Sequence, residues 1–209
     1  MNGSTARAAV GPQLAALTLV RSLMSGVLER KGLEQTVDQA RGGVREGLLY
    51  MSKWARGADL RTEIVPIVCA LGRAAVAALA ITQDDDPAAV TAWLDVQART
   101  VREHQVSLTV EHPADSVVVD VAALFAEELH RTAGGAVDEA ELEAREQRAA
   151  GLVIEWARPG AAGRDHVELL LSGGWFAATM LAYAFGFDGD RMYEYVESHA
   201  RALIVAGRQ

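Results

Sequence analysis

Residues Gly151 to Ser172 read GLVIEWARPGAAGRDHVELLLS, and the fold class turns on how they are taken. Two short apolar runs, Leu152 to Trp156 and Val167 to Leu171, flank a turn rich in Pro159, Gly160 and Gly163, which suits an antiparallel hairpin. The competing reading makes Asp165 and Glu168 an N-terminal capping box and starts a long helix at His166. The sequence favours the hairpin. Further upstream, Val106, Leu108 and Val110 alternate with Ser107 and Thr109 as in a half-buried strand, and His112 and Pro113 stop it. Because a two-stranded hairpin is marginal in water, the three segments are expected to join in one small antiparallel β-sheet.

Outward from these segments the pattern is helical. Val10, Leu14, Leu17, Val20, Met24 and Val27 recur at spacings of three and four, and Gly32 can end that helix. Val37, Val44, Leu48, Met51 and Trp54 suggest a second, weakened by Gly42 and Gly43 and ending near Gly57. Asp59 can cap a third, in which Pro66 either starts the regular part or bends it. Its stretch from Ile64 to Ile81 is apolar on nearly every face and reads as a central buried helix. Asp86 followed by Pro87 starts a fourth, with Val90, Leu94, Gln97, Val101 and His104 on one face. Val117, Val121, Leu124, Phe125 and Leu129 form another, closed by Gly134 and Gly135, and Asp138 with Glu141 caps the next. Ser172, Gly173 and Gly174 lead into a helix reaching Phe185, and Asp188 or Asp190 caps the last. The expected fold is therefore mainly α, of the α+β class: a bundle of about eight helices with a small antiparallel sheet in the C-terminal half. Its 209 residues fit one globular domain, with a helical lobe over about 5–105 and a mixed lobe over about 106–209.

A formal charge of -8 repels phosphate backbones and anionic lipid surfaces, so neither nucleic acid nor a membrane is an expected partner. Cys69 is the only cysteine, which rules out an intrachain disulfide and a Cys-rich zinc site. A cytoplasmic protein without a secretory leader is expected.

All five histidines lie at position 104 or beyond, so acid–base chemistry, if present, is expected in the second half. Glu127 and His130 share a helical face at the spacing of carboxylate-bridged metal bundles. Such bundles need a second Glu-x-x-His, which the chain lacks, and Glu127 is equally placed to pair with Arg131. No metal and no cofactor are expected. His104 and His199 fall on apolar faces of different helices, where a satisfied interior histidine is the commoner finding. Asp84, Asp85 and Asp86, and Asp188 with Asp190, read as turns and caps before they read as cation sites. No phosphate loop, nucleophile elbow or zinc-protease motif occurs.

Seven of the twelve aromatics crowd between Trp175 and Tyr195. A packed core is the plain reading of that cluster. The sharper ones are a pocket for an apolar small molecule, with Trp175, Tyr183, Phe187 and Tyr195 as candidate ligand-binding residues, or a homodimer face on the last two helices. The alternative is an enzyme using His104, Glu127, His130 or His199 as acid and base in a mostly apolar pocket.

Overall fold

A computed structural model describes residues 3–30, 53–108, 114–132, 139–157 and 166–208. Among them run α1 (Gly3–Arg30), a π-helical turn (Leu60–Ile64) that passes directly into α2 (Val65–Thr82), α3 (Pro87–Leu108), α4 (Ala114–Thr132), α5 (Glu139–Trp156), α6 (His166–Ala184) and α7 (Gly189–Ala206).

The helix starts follow local chemistry. Asp59 Oδ1 accepts the free backbone N–H groups of Arg61 and Thr62 at 3.0 and 2.8 Å, and Glu63 reaches back to the Asp59 N–H at 2.7 Å. Pro66 then lacks the N–H that would bond the carbonyl four residues back. The π turn sits just before it, with the Ile64 N–H donating to the Asp59 carbonyl five residues back at 3.2 Å, and regular α-helix begins at Val65. Asp86 caps α3 through the Ala88 N–H at 2.9 Å, and Asp188 caps α7 through that of Arg191 at 3.2 Å.

The expected antiparallel sheet is overturned, since the described residues contain no strand. Val106 to Leu108 form the last turn of α3, while Thr109 and Val110 lie outside the described residues. Leu152 to Trp156 end α5, where buried Val153 and Trp156 continue from Ala149 at helical spacings of four and three. Val167 to Leu171 open α6, a continuous helix from His166 to Ala184. Leu169 and Leu170 are both buried although adjacent, because α6 is wedged among α1, α2 and α4 and must be apolar on several sides. A run of consecutive apolar residues is then the mark of a surrounded helix and not of a strand. The turn around Pro159, Gly160 and Gly163, the capping Asp138 and Asp165, and most of the expected helix from Val37 to Trp54 lie outside the described residues.

α2 is the central element, packing on α1, α4, α5 and α6 and burying most of its residues, as its all-round apolar sequence requires. Gly72 lets α4 approach: a Cβ there would stand 2.9 Å from Val121 Cγ1 and 3.3 Å from Phe125 Cδ2. α7 runs antiparallel to α1, with Gly207 beside Val10 at one end and Glu197 bonded to Arg21 at 3.0 Å further along. By length and composition, two helical stretches could cross a membrane, Leu60–Thr82 and His166–Ala184. Shares of 72% and 56% of their most apolar windows are buried, as in core helices.

Candidate functional site

α1, α2, α5 and α7 border a cleft of two adjoining compartments. One, of about 670 Å³, lies between Pro12 and Gln13 of α1, the first half of α2 and the outward face of α5. The other, of about 240 Å³, lies where α1 and α2 meet α7, under Tyr195, His199 and Leu203. Gln13, Ala70 and Arg73 line both, so the compartments share a wall.

Arg73 is the charged residue of that wall. Its Nη2 lies 2.6 Å from Glu146 Oε1 and 3.8 Å from Glu128 Oε1, and its guanidinium carbon lies 4.2 Å from the centre of the Phe125 ring. A weakly hydrated, planar cation suits that position, stacking on an aromatic face while its edge serves a carboxylate. α5 supplies Glu143, Glu146, Gln147 and Ala150 to the cleft, a spacing that places them on one helical face.

In the smaller compartment His199 Nδ1 lies 2.9 Å from the Tyr195 carbonyl oxygen, and the two rings are 4.0 Å apart. A carbonyl can only accept, so Nδ1 carries the proton, and in the neutral ring Nε2 is left as an acceptor. Partial burial pushes the Tyr195 phenol above its ordinary pKa, which keeps it protonated at neutral pH. Cys69 lines the larger compartment but is an inert thiol: burial pushes its pKa up to about 11, opposed only in part by Arg73.

The candidate residues are distributed as follows. His199 and Tyr195 line the smaller compartment. Glu127 lies on α4 with its carboxylate 3.4 Å from Arg145 Nε, and His104 is exposed near the end of α3; neither lines the cleft. The His130 side chain lies outside the described residues. Trp175 packs on α1, where a Cβ on Gly26 would meet its ring at 3.2 Å. Tyr183 and Phe187 pack edge to face with centroids 5.2 Å apart, and Phe185 packs on Tyr195 at 5.3 Å with the rings tilted by 53°. Of the seven clustered aromatics only Tyr183, 49% exposed, is largely open to solvent. Among the described residues, no three His, Cys, Asp or Glu side chains are grouped to hold a metal ion.

Reading along the sequence missed Arg73, Glu143 and Glu146 as cleft residues. The one signal was Arg73 itself, a charge interrupting the most apolar stretch of the chain.

Fold and site together define a protein whose described residues form helices and no strand, with a mostly apolar cleft crossed by an ion pair. No protein-family model matches the chain, and neither a curated protein nor a solved structure does.

Proposed function

We propose that the protein binds an apolar small molecule in this cleft. The observation that carries the reading is the larger compartment. Its volume of about 670 Å³ falls in the usual range for small-molecule sites, and apolar side chains of α1 and α2 line it beside Gln13, Arg73 and the polar groups of α5. Across the wall of Gln13, Ala70 and Arg73, the smaller compartment adds the His199 ring and the Tyr195 phenol. Native mass spectrometry of the purified protein is expected to reveal a bound small molecule, and Ala150→Trp, which fills the α5 side of the compartment, is expected to abolish it. An unliganded protein whose melting temperature does not move with apolar ligands would remove this reading.

A second reading, self-association through α7, is favoured by Ile204 and Val205, which are 41% and 58% exposed on a helix whose buried residues are Met192 and Val196. Light scattering coupled to size-exclusion chromatography is expected to give a dimer mass, and Val205→Glu a monomer. A wild-type monomer at high micromolar concentration would remove it.

A further inference from the structure

We infer that the cleft selects an amphiphile with a cationic head, such as an alkyl chain ending in an ammonium group, over neutral or anionic molecules of the same length. The inference deepens the binding reading above and rests on it. Along α1 and α2 the larger compartment is mostly apolar, faced by Pro12, Val65, Pro66, Cys69 and Ala70 with Gln13 and Arg73 at the wall shared with the smaller one, while along α5 it is mostly polar, faced by Glu143, Glu146 and Gln147. An elongated ligand thus has a place for its chain and a different place for its head.

The polar side has a sign. Arg73 is engaged by Glu146 at 2.6 Å and lies on the Phe125 ring, so an anionic head would have to displace Glu146 to reach it. Glu143 accepts a hydrogen bond from the neutral Gln147 amide at 3.3 Å, and among the described residues no lysine or arginine pairs with it. Two carboxylates against one guanidinium leave the wall negative. A cationic head can meet Glu143 without breaking an existing ion pair, whereas a neutral head gains nothing from the charge and an anionic head is repelled.

Isothermal titration calorimetry with decyltrimethylammonium and decanoate below their micelle concentrations and decanol below its solubility limit tests this. The ammonium compound is expected to bind about fivefold more tightly than decanol, the scale of one partly exposed charge pair, and decanoate more weakly than either. Glu143→Gln is expected to cancel the advantage of the ammonium compound and leave decanol unchanged. Glu146→Gln, which removes one of the two carboxylate charges beside Arg73, is expected to strengthen decanoate by a similar factor. Circular dichroism of both variants checks that the fold is retained. Equal affinity for all three ligands, or a preference for decanoate, would overturn the charge selection while leaving the cleft as a binding site. Failure of all three to bind would remove the binding reading itself.

Discussion

Arg145→Ala is expected to lower the free energy of unfolding by roughly 2–5 kcal/mol, the usual cost of truncating a large buried side chain to alanine. The Arg145 side chain is only 1% exposed at the seam of α4 and α5, where Glu127, Glu141 and Glu128 approach its nitrogens at 3.4, 3.6 and 4.0 Å. These separations balance charge, but Nε, Nη1 and Nη2 make no hydrogen bond, so desolvation of the guanidinium is offset mainly by Coulomb attraction. Alanine leaves a cavity the size of the lost side chain and removes the cation that Glu127, Glu128 and Glu141 share, Glu128 keeping Arg73 at 3.8 Å. Arg145→Met restores most of the volume without the charge and is expected to recover more than half of the loss, since the glutamates are 23% to 55% exposed and water can reach them. Glu127→Gln, at the exposed end of that range, is expected to cost under about 1 kcal/mol. Urea unfolding followed by circular dichroism measures all three. A loss below about 1 kcal/mol in Arg145→Ala would mean that the guanidinium is not buried in solution.

What could be read from the sequence divides by the range of the forces involved. Asp59, Asp86 with Pro87, and Asp188 were readable as helix starts because a cap is satisfied within three residues of its own position. The length and burial of α2 were readable because Val65 to Thr82 is apolar on nearly every face. The sheet was misread for a related reason. In α6, contact on several sides erases the 3.6-residue period, and at the end of α5 the half-buried Leu152 and Ile154 mask the helical spacing of Ala149, Val153 and Trp156, so short apolar runs fit strand and helix equally. Only the whole-molecule packing, with α6 wedged among three helices, resolves them. In the cleft, His199 and Tyr195 stood out by residue type, one turn apart on α7. The Arg73–Glu146 bond joins residues 73 positions apart, so no local spacing announces it.

Gly174→Val is expected to cost roughly 3 kcal/mol, the upper part of the overpacking range, because it inserts a branched side chain where α1 crosses α6. A Cβ at Gly174 would stand 2.8 Å from both Leu19 Cγ and Leu23 Cδ1, and those leucines are only 7% and 4% exposed. They have little room to retreat. The comparison that isolates this crowding is Gly151, also within a helix but with nothing inside 4 Å of an added Cβ. At Gly151 an alanine gains helix propensity unopposed, and Gly151→Ala is expected to raise stability by about 0.5–1 kcal/mol. At Gly174 the same methyl gains the same propensity but meets the leucines, so Gly174→Ala is expected to be destabilising by about 1–2 kcal/mol on balance. The two alanine variants add identical atoms to helical backbone, and their opposite signs in parallel denaturation curves would come from the helix crossing alone. If Gly174→Ala instead stabilised the protein as Gly151→Ala does, α1 and α6 would not be in close approach, and the wedge that makes Val167 to Leu171 helical would lose its main support.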